Sequence, residues 1–331
     1  MTRTNILRRA PLLTALCALA FVCPDRARAQ GAPFKSGVDM VALTVAVSDA
    51  AGHSVTGLTA DDFAVYEDGV QQTLSLFGSE QVPVDVALVL DTSSSMGIDL
   101  PLVKAAARGL VSRLRVGDRA AVVDVKQTIR LPRPFTDDRG QVFTALDALR
   151  ARGSTALYDG LYTSLREFER ERRQGADLRR QALVLLSDGL DNASHVTFDD
   201  VADLARRLDL TIYTIALRGA VASAPISQQD VVRKADYAIR ALARETGGLA
   251  FFPAKAAELE AIYGTIAREL VTQYALGYVA STPGNAAAFR RITVRVLPPG
   301  KGTARTRSGY AALRPTLAAD GDAAGELRRR P

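Results

Sequence analysis

Two short apolar runs that end abruptly in an acidic residue constrain the fold of this chain most strongly. Residues 84–90 are rich in Val and Leu, with Asp85 as the one interruption, and Asp91 follows them. Residues 182–186 repeat the pattern and lead to Asp188. Runs of this kind predict strands buried on both faces of a parallel sheet. Because helical patterns separate the runs, we expect an α/β fold, with a doubly wound, mostly parallel sheet and helices on both faces.

The loop after the first run carries a dense set of oxygen donors. Asp91, Ser93 and Ser95 alternate with other residues directly beyond the predicted strand. In open α/β sheets, ligands bind beyond the carboxyl ends of the strands. One carboxylate and two hydroxyls are hard oxygen ligands that suit Mg²⁺. On this segment alone, an Asp or Ser cap for the following helix is an equally good interpretation.

Two further segments complete a recognisable set. Residues 153–155 read Gly-Ser-Thr, and residues 187–189 read Ser-Asp-Gly. Together, the three segments resemble the metal-ion-dependent adhesion site of the von Willebrand factor type A domain, and the resemblance extends over roughly residues 84–275. It implies a doubly wound, Rossmann-like fold and one divalent cation, Mg²⁺ or else Mn²⁺ or Ca²⁺. The five implied ligands, in the order of the family, are Asp91, Ser93, Ser95, Thr155 and Asp188.

The same resemblance implies that the site binds a protein and does not catalyse a reaction. In the family, an Asp or Glu carboxylate of a partner protein takes one coordination position of the metal. Two other interpretations stay open. One is a structural cell-envelope protein whose metal steadies the loops, and the other, less favoured, is a metal-assisted hydrolase.

The sequence offers little support for an enzyme. The chain has two histidines, His53 and His195, and no Gly-x-Ser-x-Gly nucleophile elbow. It also lacks the glycine-rich phosphate-binding fingerprints, so a nucleotide ligand is not expected. We interpret His195 as a surface residue, Asp124 as structural and Asp159 as a residue that caps a helix or offsets its dipole. Residues 191–192, Asp-Asn, predict a turn rather than a second cation site.

The first 29 residues have the pattern of an export signal. A basic start is followed by an apolar run at 12–22 that is short for a membrane span, and residues 27–29 read Ala-Arg-Ala. We therefore expect cleavage near Ala29 and a periplasmic or secreted protein with no transmembrane segment in the mature chain. An uncleaved membrane anchor is the less favoured alternative.

The net charge falls and no cysteine remains when these 29 residues are removed from the chain. The formal charge of the whole chain is +6, but residues 1–29 carry five Arg and one Asp, which leaves +2 for the remainder. This near-neutral balance gives no support for a nucleic-acid partner. Both cysteines, Cys17 and Cys23, also lie in the leader. The predicted mature chain therefore forms no disulfide and no zinc–thiolate site.

Strand patterns flank the α/β region on both sides. Residues 38–49 alternate apolar and small residues, and Asp68-Gly69 joins predicted strands at 63–67 and 70–77 into a hairpin. Further strands are expected at 274–280, 291–297 and 303–310. We predict a small β-sandwich built from both chain ends. The predicted organisation is a signal peptide at 1–29, sandwich segments at 30–83 and 274–314, the von Willebrand factor A-like domain at 84–273, and a disordered tail at 315–331.

Strand and helix patterns alternate through the central region. Additional strands are expected at 119–125, 126–131, 210–217 and 249–252, with the first two forming an antiparallel edge. Residues 219–229 are expected to be irregular. Predicted helices cover residues 100–114, 139–151, 157–173, 198–208, 230–245 and 254–273.

Overall fold

The computed structural model describes residues 40–79, 82–174, 179–217, 226–280 and 289–311. In these ranges the strands are β1 (Met40–Ser48), β2 (Phe63–Glu67), β3 (Val70–Gln72), β4 (Leu74–Ser79), β5 (Val84–Asp91), β6 (Arg119–Val125), β7 (Arg130–Thr136), β8 (Arg180–Ser187), β9 (Thr211–Ala216), β10 (Ala250–Phe251), β11 (Tyr274–Val279), β12 (Phe289–Val296), β13 (Thr303–Arg305) and β14 (Gly309–Ala311). The helices are α1 (Leu100–Arg113), α2 (Arg139–Ala148), α3 (Leu157–Gln174), α4 (Phe198–Arg207), α5 (Ile226–Glu245) and α6 (Leu259–Thr272).

A six-stranded sheet in the order β10-β9-β8-β5-β6-β7 forms the centre of the molecule. Its strands pair in parallel except at one edge, where β7 runs antiparallel to β6. Helices α1, α2 and α6 cover one face of the sheet, and α3, α4 and α5 contribute to the core on the other. This arrangement confirms the predicted fold class.

Burial on both faces explains why β5 shows no polar alternation. All eight of its residues are buried. Val86 and Leu88 belong to the core beneath α1, α2 and α6, whereas Ala87 and Val89 belong to the core beneath α3 and α4. A polar residue in the middle of this strand would lie in an apolar layer whichever way it pointed.

Two four-stranded sheets form the predicted sandwich. Their orders are β13-β1-β11-β4 and β14-β12-β2-β3, so each combines strands that precede β5 with strands that follow α6. Leu43 and Val45 of one sheet share a core with Ile292 and Val294 of the other. The expectation that both chain ends contribute to one sandwich is confirmed. The exact domain boundaries remain predictions.

Three predicted strands need correction. Residues 70–77 are not one strand but β3 and β4, which lie in different sheets, and residues 303–310 likewise divide into β13 and β14. The prediction of a strand at 126–131 is wrong, because the edge strand β7 begins at Arg130. Pro132 and Pro134 lie in β7. Prolines argue against a strand in the sequence pattern, but an edge strand tolerates them, so the position of β7 was missed.

Helix boundaries differ in smaller ways. Helix α5 begins at Ile226, inside the stretch expected to be irregular, and α6 begins at Leu259 after a short 3₁₀ turn at Ala256–Glu258. Helix α2 ends at Ala148. Predictions for the export signal, residues 219–225 and the tail fall outside the described residues. Among the helices that are described, none is both long and apolar enough to cross a membrane.

Candidate metal centre

The predicted ligands lie where the central sheet reverses its strand order. From β5 the chain passes to β6 on one side and later returns through β8 on the other. Leu90 is paired with Leu186, so the loops that follow these two strands emerge side by side. This is the topological switch point at which open α/β sheets bind ligands. Asp91 ends β5 and Asp188 directly follows β8, so both lie at this edge of the sheet.

Three predicted ligands are in direct contact. The hydroxyl oxygens of Ser93 and Ser95 lie 2.9 Å apart, and the Ser95 hydroxyl donates to Oδ2 of Asp188 at 2.7 Å. Ser93 and Asp188 are buried, whereas Ser95 is exposed. The cluster therefore has a closed inner side and an open outer side.

Asp91 lies deepest in the cluster, with no exposed surface. Its Oδ1 accepts a hydrogen bond from the main-chain N–H of Ser93 at 2.8 Å, and its Oδ2 accepts one from the Ser187 hydroxyl at 2.7 Å. Burial raises the pKa of Asp91 to about 6, the nearby Asp188 carboxylate adds to the rise, and the hydrogen bonds oppose it. A positive charge at this place would relieve both causes of the raised pKa.

Thr155 reaches the same edge from a third loop. The Ser94 N–H donates to the carbonyl of Gly153 at 3.0 Å, which ties this loop to the Asp91 loop. Thr155 is 3% exposed, and its hydroxyl makes no hydrogen bond to any other described residue. Its main-chain N–H donates to Oδ1 of Asn192 at 2.9 Å. The structure thus brings all three predicted loops together.

The chemistry and spacing of these oxygens suit a small divalent cation. Neighbouring ligands of an octahedral Mg²⁺ ion lie roughly 3.0 Å apart, because each Mg–O bond is about 2.1 Å. The contacts of Ser95 with Ser93 and Asp188, at 2.9 and 2.7 Å, are close to that value. No group of three or more His, Cys, Asp or Glu side chains suited to a metal occurs among the described residues. A cation bound here would need the hydroxyl oxygens as ligands beside the two carboxylates.

Residues 191–193 hold the Thr155 loop in place. The main-chain N–H groups of Asn192 and Ala193 both donate to the Thr155 carbonyl at 3.1 Å. Oδ1 of Asp191 accepts from the N–H of Leu157 at 2.8 Å, at the start of α3. The Asp-Asn pair was predicted to form a turn. It also caps α3 and positions the Thr155 loop. The sequence alone does not reveal this role, because it depends on a tertiary contact.

Asp159 and His195 form a neighbouring pair outside the cluster. Oδ1 of Asp159 accepts from the N–H groups of His195 and Val196 at 2.9 and 3.0 Å. The His195 side chain is 91% exposed and lies 3.0 Å from Oδ2 of Asp159. The exposed His195 agrees with its interpretation as a surface residue. Asp159 lies in the first turn of α3, as a residue that offsets the helix dipole would, but the described contacts of its carboxylate are to residues 195 and 196 and do not cap α3.

A buried ion pair supports the Asp91 loop from below. Asp124 and Lys126 are both buried and lie 2.7 Å apart. The Thr92 hydroxyl donates to Asp124 and accepts from Lys126 at 3.2 Å. Asp124 therefore has the structural role expected of it, although its lysine partner was not anticipated.

Comparison with known proteins identifies the family. Residues 85–264, more than half of the chain, match the model of the von Willebrand factor type A domain. This chain belongs to the von Willebrand factor type A domain family. The matched residues run from β5 into α6 and include all five predicted ligands.

Individual relatives are more distant. An uncharacterized protein of Synechocystis sp. is 34% identical over 112 residues, which is 33% of this chain and 26% of that protein. The chain therefore matches about a quarter of the length of that relative. A von Willebrand factor type A structure from Catenulispora acidiphila is 15% identical, with a TM-score of 0.48 over 84% of this chain and 74% of the other. The vWF domain of the pilus tip protein Mfa5 from Porphyromonas gingivalis is 17% identical, with a TM-score of 0.46 over 57% of this chain and 95% of the other.

Proposed function

We propose that the chain is a protein-interaction module that binds a partner carboxylate through a divalent cation held by Asp91, Ser93, Ser95, Thr155 and Asp188. The observation that carries the proposal is the contact of Ser95 with Ser93 and with Asp188 at the topological switch point of the sheet. Members of the von Willebrand factor type A family are generally interaction modules. Two lines of support therefore agree: the cluster of oxygen donors in this chain, and the protein-interaction role that is general in the family.

The shape of the cluster supports an external ligand. Asp91, Ser93 and Thr155 are buried and form its inner side, whereas Ser95 is exposed on its outer side. A bound divalent cation would supply a positively charged coordination position for an incoming carboxylate. The two protein carboxylates balance its charge without exceeding it, so an acidic side chain of the partner is not repelled.

The loop-stabilising alternative has less support. The three loops are already joined by direct hydrogen bonds, including Ser94 N–H to the Gly153 carbonyl at 3.0 Å and Arg152 N–H to the Thr92 carbonyl at 2.8 Å. Ser187 further connects β8 to Asp91. Since the chain itself fixes the loops, a cation there is better explained as a binding group.

Within the described part of the chain, a hydrolytic role has no base beside the cluster to support it. His195 pairs with Asp159 and is almost fully exposed, away from the buried side of the cluster. Asp91 and Asp188 are needed as ligands in this proposal, which leaves neither free to accept a proton from water. We therefore propose a binding role without catalysis, in a protein exported by the signal at residues 1–29.

Calorimetric titration with Mg²⁺ and Mn²⁺ tests the cation directly. We expect saturable binding to the wild type and at least about tenfold weaker binding to Asp188→Asn, because an amide offers one neutral oxygen in place of a carboxylate. Asp61→Asn changes an exposed carboxylate outside the cluster and serves as the matched control. Equal affinities for the wild type and Asp188→Asn would refute the assigned site.

The partner chemistry needs a separate measurement. Peptide arrays carrying Asp or Glu, with Asn or Gln in the matched spots, should be probed with Mg²⁺ and again with EDTA. We expect the acidic spots to retain more protein with Mg²⁺ than with EDTA, and we expect Asp188→Asn to lose this increase. The absence of any increase with Mg²⁺ would refute cation-dependent recognition of a carboxylate. Binding that persists in EDTA would show that a carboxylate is recognised elsewhere on the molecule.

A further inference from the structure

An arginine-rich groove lies between the helices α4 and α5 and the sandwich strand β12. It has a volume of about 950 Å³. We define this arginine groove by Arg206, Arg207, Arg244, Arg291 and Phe289, all of which line it. The four arginines come from three separate elements, so the fold and not a local basic run brings them together.

The charges of the groove are only partly balanced. Arg206 contacts both acidic residues of the groove, at 2.6 Å from Asp203 and 2.9 Å from Glu245. Among the residues that the structure describes, the guanidinium groups of Arg244 and Arg291 make no ion pair and no hydrogen bond, and both residues are exposed. The groove therefore presents cations whose charge no described carboxylate offsets.

Helix electrostatics explain part of this arrangement. Arg206 and Arg207 lie in the last turn of α4, and Arg244 lies in the last turn of α5, where cations offset the helix dipole. That explanation does not apply to Arg291, which projects from strand β12 into the same groove. It also leaves unexplained the phenyl ring of Phe289, which is 47% exposed beside these charges.

We propose that the arginine groove binds an acidic segment of a partner protein. Arginine pairs with carboxylates through two parallel N–H···O bonds, and the unpaired Arg244 and Arg291 are available for this. Phe289 offers an apolar contact to an uncharged side chain between the acids. Protein segments with separated acidic residues meet both requirements.

A continuous polyanion suits the groove less well. Asp203 and Glu245 line it beside the arginines, and a nucleic-acid backbone would bring its phosphates close to these carboxylates. A peptide can place uncharged residues opposite them. A second groove of about 360 Å³ shares Arg244, Ile292 and Ser308 with the first, which extends the surface for an elongated segment.

The arginine groove is distinct from the candidate metal centre. It lies where α4 and α5 end, whereas the metal centre lies at the carboxyl ends of the parallel strands, where the helices begin. Helices in such folds run antiparallel to the strands, so the two places are at opposite ends of the sheet. Binding in the groove requires no cation, which makes the two proposals separable by experiment.

Fluorescence anisotropy of the full chain with a labelled peptide tests the groove. The probe repeats Glu-Ser-Glu-Leu, a second peptide carries Gln in place of Glu, and EDTA is present throughout. We expect saturable binding of the acidic peptide, weakened as salt rises from about 50 to about 300 mM, and no binding of the Gln peptide. The double variant Arg244→Ser/Arg291→Ser should bind the acidic peptide at least about tenfold more weakly.

The matched control is Arg113→Ser/Arg268→Ser, which removes the same charge from exposed positions on α1 and α6. It should bind like the wild type. Arg244→Lys/Arg291→Lys keeps the charge and should retain part of the affinity, and thermal melts will verify that each variant is folded. Equal binding by the groove and control variants overturns the proposal. So does binding of a single-stranded oligonucleotide, sensitive to the groove variant, without binding of the acidic peptide.

Discussion

The buried carboxylate of Asp91 gives a quantitative prediction for the cation-free protein. Its pKa is about 6 in the folded state, against 3.8 for an ordinary aspartate, chiefly because of burial. A tenfold change in proton affinity corresponds to about 1.4 kcal/mol, so the ionised carboxylate should cost the fold roughly 3 kcal/mol at neutral pH. Replacement by Asn removes the charge and keeps a similar shape.

The direction of the pH effect follows from the raised pKa. The folded protein holds the proton of Asp91 more tightly than the unfolded chain does. The stability that this proton confers is fully present below about pH 4 and is lost as the pH rises through about 6. The free energy of unfolding of Asp91→Asn, relative to the wild type, should therefore rise by roughly 2.4 kcal/mol between about pH 4 and about pH 7, because the rest of the change lies outside this range.

Urea denaturation in cation-free buffer across this pH range measures the difference. Asn changes one hydrogen bond to Ser187 or Ser93, which adds an offset of about 1 kcal/mol that does not vary with pH. The pH-dependent part of the difference is therefore the informative quantity. A difference that stays constant across the range would refute the reasoning. In saturating Mg²⁺ the ionised wild type should regain stability and the trend should disappear.

Three further substitutions test other parts of the structure. Arg290→Met should lower the free energy of unfolding by about 3–5 kcal/mol in urea titrations, because it leaves the buried Glu67 carboxylate without its ion-pair partner. Adding Glu67→Gln to this variant should restore much of the lost stability. Gly160→Ala should cost about 1–3 kcal/mol in thermal melts, since the added carbon would lie 2.5 Å from a methyl carbon of Val125. Asn192→Ala should weaken Mg²⁺ binding by about 10- to 100-fold in calorimetry while the fold is retained. The amide oxygen of Asn192 positions the loop that carries the proposed ligand Thr155, and the variant removes it.

The central sheet was predictable because its signals are local. The runs before Asp91 and Asp188 are apolar on both faces, and the structure buries both sides of β5 and β8. The helix start at Thr197 was also visible, and its capping box with Asp200 is present. Asp91, Ser93, Ser95 and Asp188 follow two of these strands, and parallel strands that end at one edge bring their loops together. Thr155 follows no such strand, and only the resemblance to the family pointed to it.

Errors arose where one stretch of chain serves two sheets. Residues 70–77 read as a single strand, yet β3 pairs with β2 whereas β4 pairs with β11. β13 and β14 divide in the same way between β1 and β12. Leu74 and Phe77 of β4 pack against the sandwich core, whereas β3 buries only Gln72. The pattern of apolar residues records burial. It does not record which partner strand accepts the hydrogen bonds, so the division depends on tertiary structure.

The arginine groove could not be predicted from the sequence. Each of its arginines has a local explanation when read alone, as a helix-end cation on α4 or α5 or as the outward residue of an alternating strand. Only the fold places Arg207, Arg244 and Arg291 around one groove. Together, the two proposed sites would give this chain a cation-dependent surface at one end of its central sheet and a cation-independent one at the other. A module that joins two acidic partners would need this separation, because neither partner could then block the other.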